Sequence, residues 1–504
     1  MQDRIRILAT SDVHGYIYPY SYANNSSENI GLARISTLIK SLRDENTILI
    51  DNGDNLEGSP LMYYHMHYLK DEYFPIADVL NEIGYDYVNV GNHDFNYGED
   101  ELNVYLNQLD AKCITSNILY KDKIIGCPYV IREIAGKRLA IFGLTTQYIP
   151  NWESDDHIIH SKFLDAYKSC KKTVEYLKDN EHPDYIICVY HGGFERDLET
   201  GEPTEDLTLE NEGYQMLKDI KGIDVLISGH QHRSISGKLF DTVYTQTKDK
   251  GSEIACVDIY PNKIEAKIIP VDSGPDEDIM NLVIDEENMC QKWLDTPLGT
   301  SNVDLRIIDE DDARVNKAQL ITFLNIVSKE AGGADLNSNS LFDRATGFGK
   351  DITMRNIVST YVFPNTLVVK KVTGKILRQY LEKNAEYFDI DDDRIVVTAK
   401  YLAPKLMKYN YDMVDGVEYT IKVSNEVGKR IISLTKDGKE IKDDDEFTIC
   451  VNNYRATGGG NFYMIKDAPV VKEVSSSMVD LLANFIIKHK VVDFKPVNNI
   501  KVIK

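Results

Sequence analysis

Seven side chains of metal-binding types stand at five places in the first half of the chain, each closely following an apolar run. They are Asp12, His14, Asp54, Asn92, His191, His230 and His232. Imidazole and carboxylate together suit Zn, Mn, Fe or Co better than Ca. Seven ligands are too many for one tetrahedral ion, so we expect two ions bridged by a shared carboxylate. Two such ions can activate a water and hold the oxygens of an in-line displacement at phosphorus.

The loop Gly91-Asn92-His93-Asp94 adds a further histidine next to a candidate ligand. Asn92 offers a neutral oxygen ligand or a phosphate donor, and His93 can donate a proton. A single histidine is more often a structural residue, but five of the eleven histidines fall in these glycine-flanked loops. The remaining six are predicted to be surface or packing residues: His65, His67, His157, His160, His182 and His489.

The elements that must position these side chains are strands alternating with helices. Apolar runs predict buried strands at residues 4–10, 48–50, 87–90, 139–144, 185–190 and 224–227. Helical spacing predicts helices at residues 31–46, 75–83, 99–109 and 163–178. This alternation indicates a layered α/β fold, in which ligands collect at the carboxyl ends of the strands. All the strands except 139–144 end in a candidate ligand.

Composition limits the class of protein. A length of 504 residues predicts two or three domains. The formal net charge of −23 repels nucleic-acid backbones and anionic membranes, so neither is an expected partner. The seven scattered cysteines lack a CxxC pair and are expected to be reduced. No apolar stretch is long enough for a signal peptide or a membrane span, so we expect a soluble cytoplasmic protein.

The five loops, in this order and spacing, resemble the calcineurin-like metallophosphoesterases. The matching motifs are Asp12-x-His14, Gly53-Asp54, Gly91-Asn92-His93-Asp94, His191-Gly192 and Gly229-His230-x-His232. The resemblance implies a four-layer fold with two stacked sheets in residues 1–272. It also implies that Asp12, His14 and His232 bind one metal, that Asn92, His191 and His230 bind the other, and that Asp54 bridges them. His93 would contact the phosphoryl oxygens and assist the leaving group.

The second half resembles the substrate-binding domain of the 5'-nucleotidase family. The matching stretches begin at Phe363-Pro364-Asn365, Thr373-Gly374-Lys375, Tyr411-Asp412-Met413, Asn452-Asn453-Tyr454 and Gly458-Gly459-Gly460. The resemblance implies a second, α+β nucleotide-binding domain at residues 301–504, after a linker helix at 273–300. In that family two aromatic rings enclose the base, and the matching positions are Tyr411 and Phe462. Core packing is the alternative role for either ring.

Two departures narrow the family. The acid that usually follows the catalytic histidine by three residues is replaced by Asn96. The usual Asn-Gly-Gly-x-Arg phosphate loop is missing, and its arginine has no clear equivalent, with Arg344 as a candidate. Both departures resemble the 2',3'-cyclic-nucleotide 2'-phosphodiesterase/3'-nucleotidase branch, which we expect here. A plain 5'-nucleotidase is the alternative substrate class, and a metal-binding nucleotide sensor with vestigial activity is the alternative of another class. A DNA nuclease conflicts with the net charge.

Overall fold

The computed structural model describes residues 4–69, 73–361, 363 and 365–504. The chain divides into two compact units, Met1–Cys290 and Gln291–Lys504. Pro364 of the predicted nucleotidase motif lies outside the described residues, as does Val362 at the end of a helix predicted over residues 353–362.

Two six-stranded sheets form the centre of the first unit. The first sheet has the spatial order Lys263–Pro270, Glu253–Tyr260, Ile5–Thr10, Thr47–Asp51, Tyr87–Val88, Lys112–Cys113. The second has the order Ile235–Leu239, Thr242–Gln246, Val225–Ser228, Tyr185–His191, Lys137–Thr145, Val130–Ile134. The central strands of both sheets are parallel, so their carboxyl ends share one edge of each sheet.

A continuous apolar core fills the space between the two sheets. Ile7 and Ile48 of the first sheet belong to the same buried cluster as Ile141 and Ile187 of the second. Side chains alternate along a strand, so Leu8 faces the opposite side, where it is also fully buried. Helices therefore cover the outer faces, and the unit has the four layers that the sequence predicts.

Four helices of this unit lie where helical spacing predicts them: Leu32–Leu42, Pro75–Ile83, Glu99–Gln108 and Ala166–Tyr176. Glu277–Leu282 belongs to the predicted linker, and two further helices, Pro60–Tyr64 and Gly213–Asp219, are not predicted from the sequence. Two π-helical turns, His65–Leu69 and Leu177–Glu181, extend the helices before them. A small three-stranded sheet of Lys123–Ile124, Ile118–Tyr120 and Ser161–Phe163 completes the unit.

The second unit combines helices with sheets that contain both parallel and antiparallel strand pairs, as expected for an α+β domain. Its largest sheet has the order Asp412–Asp415, Leu336–Ser340, Glu446–Asn452, Leu367–Thr373, Val470–Val474. A four-stranded sheet has the order Lys439–Glu440, Ile431–Lys436, Glu418–Lys422, Ile500–Ile503. A three-stranded sheet has the order Asp351–Thr353, Pro297–Ser301, Val491–Val492. A two-stranded sheet pairs Phe388–Asp391 with Arg394–Val397. The helices are Glu310–Val315, Gln319–Gly332, Met354–Thr360, Gly374–Ala385, Asn453–Ala456, Tyr463–Lys466 and Met478–His489.

Two segments differ from the predicted elements. The sequence of residues 471–489 predicts a single helix at the end of the chain. The structure instead has an edge strand, Val470–Val474, and becomes helical only at Met478. The linker segment holds two helices, Glu277–Leu282 and Ile284–Leu294, because Val283 leaves the helical conformation with φ −120° and ψ 21°. Among the described helices, none is long and apolar enough to cross a membrane.

Candidate active site

The predicted ligands lie in loops with an unusual backbone. Five of them have positive φ angles in the left-handed region: Asp12 (56°), His14 (52°), Asp54 (61°), His230 (68°) and His232 (55°). Such angles are uncommon outside glycine and tend to cluster at functional sites, where the surrounding structure enforces them. Each of these residues follows a strand within a few positions, so the conformation turns its side chain back over the sheet edge.

The first three-ligand cluster contains Asp12, His14 and His232. The His232 Nε2 atom lies 3.3 Å from Asp12 Oδ1 and 3.3 Å from His14 Nε2. These residues come from loops at two different sheets, more than 200 positions apart, yet their ligand atoms converge on one point. They are the three residues that the family resemblance assigns to one metal.

The second cluster contains His191, His230 and Asp54, with Asn92 beside them. Asn92 Oδ1 lies 2.8 Å from His230 Nδ1 and 3.2 Å from His191 Nε2. His191 Nε2 also lies 3.1 Å from Asp54 Oδ2 and 3.9 Å from Asp12 Oδ1, so the two clusters adjoin. All seven predicted ligands are therefore brought together.

Outer contacts orient three of the imidazoles. His14 Nδ1 donates to the carbonyl of Glu57 at 2.9 Å, and His191 Nδ1 donates to the carbonyl of Asn52 at 2.6 Å. His230 turns the other way, with Nε2 2.9 Å from Glu210 Oε1 and Nδ1 toward Asn92. Metal-ligating histidines usually hold their second nitrogen in this manner, which fixes the tautomer.

The polar atoms inside the site fit a bound cation. In the described part of the chain, Asp54 Oδ2 is buried and accepts no well-aligned hydrogen bond, although His191 Nε2 lies 3.1 Å away. Because a carbonyl holds His14 through Nδ1–H, its Nε2 presents a lone pair toward His232 Nε2. A lone pair and an orphaned carboxylate oxygen, both buried, are the donor set that a divalent transition metal takes. Asp12, His14 and His232 would hold one ion, and Asp54, Asn92, His191 and His230 a second.

The charges of the site also favour cations. Burial would raise the pKa values of Asp12 and Asp54, but His191 and the neighbouring histidines outweigh it and lower them well below the ordinary range. Burial would lower the pKa of His191, yet Asp54 and Asp12 raise it to about 10, so a metal bound by this ring must displace its Nε2 proton. Burial lowers the pKa of His14 to about 4, so this ring is neutral at pH 7 and its lone pair can bind a metal.

Asp94, which the sequence analysis left without a role, ties two of the loops together. Its carboxylate accepts hydrogen bonds from the backbone N–H groups of Asp54 (2.9 Å), Asn55 (2.7 Å) and Gly91 (2.8 Å). The loops approach so closely that a Cβ at Gly91 would lie 2.1 Å from Asp54 Oδ1. Glycine is required at position 91 for this reason, and the ligands Asp54 and Asn92 are held in a fixed relation.

His93 lies beside these ligands, with its backbone N–H on Asp54 Oδ1 at 2.7 Å. Its Nδ1 is 2.7 Å from Asn96 Oδ1 and 3.3 Å from Glu57 Oε2. Burial would lower the pKa of His93, but Asp54, Glu57 and the hydrogen bond to Asn96 raise it. Burial raises the pKa of the Glu57 carboxyl itself to about 7. Position 96 therefore lacks a carboxylate, but Glu57 of another loop places one near His93.

Tyr411 and Phe462 lie in the second unit, and both rings are fully buried. Tyr411 stacks on Tyr387 with ring centroids 5.0 Å apart, and Phe462 packs over the guanidinium of Arg455 at 3.8 Å. Both rings therefore act as packing residues in this structure. Base stacking stays a prediction, and it requires both rings to separate from these contacts. Arg344, the candidate for the missing arginine donor, is exposed in the same unit.

Four residues near the ligands were not identified from the sequence: Glu57, Trp152, Glu153 and Glu210. Trp152 stacks on the His230 ring with centroids 5.4 Å apart. Glu153 accepts hydrogen bonds from Asn96 and from His157, one of the histidines expected to be structural. These residues lie in irregular segments, where neither hydrophobic period nor strand-end position marks them.

Comparisons with known proteins cover both units. The model of the calcineurin-like phosphoesterase family matches residues 5–234, and that of the 5'-nucleotidase C-terminal domain matches residues 297–467. The trifunctional nucleotide phosphoesterase protein YfkN of Bacillus subtilis is 26% identical over 99% of this chain, which spans only 39% of the length of YfkN. The 2',3'-cyclic-nucleotide 2'-phosphodiesterase/3'-nucleotidase of Haemophilus influenzae is 28% identical over 96% of this chain and 84% of its own length.

The similarity extends to a solved structure at higher identity. A Staphylococcus aureus protein assigned to the 5'-nucleotidases is 36% identical, with a TM-score of 0.94 over 99% of this chain and 100% of its own. The two family models match separate stretches of this chain, and the Staphylococcus aureus structure is similar to it over both. The chain belongs to the calcineurin-like phosphoesterases of the 5'-nucleotidase family and is a metal-dependent phosphohydrolase.

Proposed function

We propose that this chain hydrolyses small nucleotides at two divalent metal ions, as a 2',3'-cyclic-nucleotide 2'-phosphodiesterase and 3'-nucleotidase. The observation that carries the proposal is the convergence of seven ligands into two adjoining clusters, with His93 beside them. The complete ligand set argues against a sensor with vestigial activity. The cytoplasm is the proposed location, as the sequence analysis expects.

The substrate class is supported by the relatives and by the two departures from the 5'-nucleotidase motifs. The Haemophilus influenzae relative bears the name of the cyclic-nucleotide branch. Asn96 occupies the place of the usual acid, and the chain has no Asn-Gly-Gly-x-Arg loop after Ala334-Asp335-Leu336. The Staphylococcus aureus structure favours the second candidate, a 5'-nucleotidase.

The residues of the chain divide the chemical work as follows. The bound metals would supply Lewis-acid activation of water and neutralise charge on the phosphoryl group. Asn92 and His93 stabilise charge on the phosphoryl oxygens, and His93 gives a proton to the leaving oxygen. Tyr411 and Phe462 enclose the base, once Phe462 has separated from Arg455, and this stacking tolerates any base. Chemistry and base recognition are thereby assigned to different units.

The test is a phosphate-release and chromatographic assay with Mn on 2',3'-cyclic AMP, 3'-AMP and 5'-AMP. The expected result is conversion of the cyclic substrate to 3'-AMP and then to adenosine. Preference for 5'-AMP would assign the chain to the 5'-nucleotidases. The variant Asp54→Ala, purified in the same way, controls for a contaminating phosphatase. Absence of bound transition metal, with no activation by Mn, would favour the sensor.

A further inference from the structure

A chain of hydrogen bonds connects His93 to a carboxylate 60 positions away in the sequence. His93 Nδ1 is 2.7 Å from Asn96 Oδ1, and Asn96 Nδ2 donates to Glu153 Oε2 at 2.7 Å. Glu153 is only 7% exposed. Its other oxygen, Oε1, accepts from His157 Nδ1 at 2.8 Å and from the Ser154 N–H at 3.0 Å.

The direction of these bonds follows from their chemistry. An ionised carboxylate only accepts hydrogen bonds, so Asn96 must turn its NH₂ group toward Glu153. The amide oxygen of Asn96 must then face His93, and it can only accept. The neutral His93 ring therefore carries its proton on Nδ1. Nε2 must take up a second proton, which gives the imidazolium, before it can give that proton to the leaving oxygen.

Asn96 alone could not enforce this arrangement. An amide can rotate by 180° and present either a donor or an acceptor, whereas a carboxylate at position 96 would accept in both orientations. The nearby Glu57 Oε2 lies 3.3 Å from His93 Nδ1, but among the described residues it receives no hydrogen bond. The shorter, directed contact is the one to Asn96, and Glu153 is what orients that amide.

We propose that Glu153 is a positioning residue that acts through Asn96 to hold His93 in the Nδ1–H tautomer, replacing the acid that position 96 lacks. Glu153 touches neither substrate nor metal in this role. The carboxylate of Glu153 contacts His93 indirectly, through the side-chain amide of Asn96. The expected effect of Glu153 on kcat rests on the proposed function, whereas its effect on the tautomer of His93 does not.

The first test removes the carboxylate. Glu153→Ala is expected to lower kcat on the nucleotide by about 10–100-fold, the range typical of outer partners of a site residue, with KM and metal content little changed. Bis-p-nitrophenyl phosphate should lose less, because p-nitrophenolate leaves without a proton. The exposed acid two residues further along the chain, in the short helix Asp155–His157, provides the control Asp155→Asn, which should behave as wild type.

The second test moves the carboxylate back. Asn96→Asp alone would place two carboxylates at hydrogen-bond distance and should impair the enzyme. The double variant Asn96→Asp/Glu153→Gln restores an acceptor for His93 and a donor between the two side chains, so most of the lost kcat should return. A merely structural role for Glu153 predicts no such recovery.

The third readout is independent of activity. The ¹⁵N and ¹³C shifts of His93, assigned with His93→Ala in Zn-loaded protein, report which nitrogen carries the proton. The Nδ1–H form is expected in wild type, with an Nε2–H population in Glu153→Ala. An unchanged tautomer together with unchanged kcat would overturn the proposal and assign the role to Glu57. If wild-type protein hydrolyses no phosphoester, the proposed function fails, but the tautomer still tests Glu153.

Discussion

Removal of the Arg455 charge is expected to destabilise the second unit strongly. Arg455 is 1% exposed and Asp412 is 3% exposed. Their contact is bidentate, with Nε–Oδ2 at 2.8 Å and Nη2–Oδ1 at 3.0 Å. Burial would lower the pKa of Arg455, but Asp412 outweighs it and raises the pKa above its ordinary value. The guanidinium also supports the Phe462 ring at 3.8 Å.

The magnitude follows from what Arg455→Met leaves behind. The buried Asp412 carboxylate would keep the Tyr380 hydroxyl but lose its counter-charge. Breaking a buried ion pair on one side costs about 3–5 kcal/mol, because an uncompensated charge remains inside the protein. The double variant Arg455→Met/Asp412→Asn removes that charge and should recover much of the loss. Arg306→Met is the matched control, since its bidentate partner Asp304 is 59% exposed and the pair is hydrated.

Hydrogen exchange of the native protein is the suitable assay, because a chain of two units need not unfold in one step. At about 1.4 kcal/mol per factor of ten, exchange from peptides covering Asp412–Asp415 and Glu446–Asn452 should accelerate by roughly two to almost four orders of magnitude. Peptides of the first unit should not change. An acceleration no larger than that of Arg306→Met would refute the reasoning that this pair is buried and uncompensated.

The other predictions concern catalysis, recognition and pH. His93→Ala should keep its metal, measured by elemental analysis, and lose about 10²–10⁴-fold in turnover. Phe462→Ala should lower kcat/KM for nucleotides by the equivalent of about 1–3 kcal/mol, and kcat/KM for bis-p-nitrophenyl phosphate by far less. Burial would raise the pKa of Asp276, but the contacts with Lys40 and Ser36 outweigh burial and lower this pKa. The ionised carboxylate therefore stabilises the fold above the unfolded pKa of about 3.9, and this stabilisation fades as the pH falls below that value. The Tm difference between wild type and Asp276→Asn should shrink accordingly.

Each of these has a contradictory outcome. Wild-type turnover in metal-loaded His93→Ala would remove that histidine from the mechanism. Equal losses on both substrates for Phe462→Ala would leave the ring as a packing residue only. A Tm difference for Asp276→Asn that grows as the pH falls below 4 would mean that the carboxylate is not held ionised by its partners.

Much of the fold could be predicted because local patterns and tertiary packing agree. The helix Pro75–Ile83 was predicted with its observed bounds, since proline begins it, an apolar stripe is buried and Gly84 ends it in the left-handed region. The helix predicted over residues 471–489 was wrong at its start, because the strand Val470–Val474 pairs at the sheet edge with the strand Leu367–Thr373. That pairing comes from a segment about a hundred positions away, so no local period could reveal it.

The candidate site shows the same division. The clustering of its seven candidate ligands could be predicted because each is a chemically distinctive residue closely following a strand, and parallel strands bring such ends together. Residue type does not decide whether Tyr411 and Phe462 stack on a base, because a ring that packs in the core and a ring that stacks on a base have the same appearance in a sequence. Their packing on Tyr387 and Arg455 is visible only in the folded unit.

The sequence by itself determined the layered α/β architecture, the family and the candidate ligands that gather at the strand ends. The tertiary structure decided which groups surround and orient them. Glu57, Glu153 and Glu210 lie in irregular loops, and each reaches its histidine, directly or through Asn96, only after long-range packing has placed the loops. The physical reason is that strand ends are set by local hydrophobic period, whereas a carboxylate in a loop acquires its partner from contacts far away in the chain.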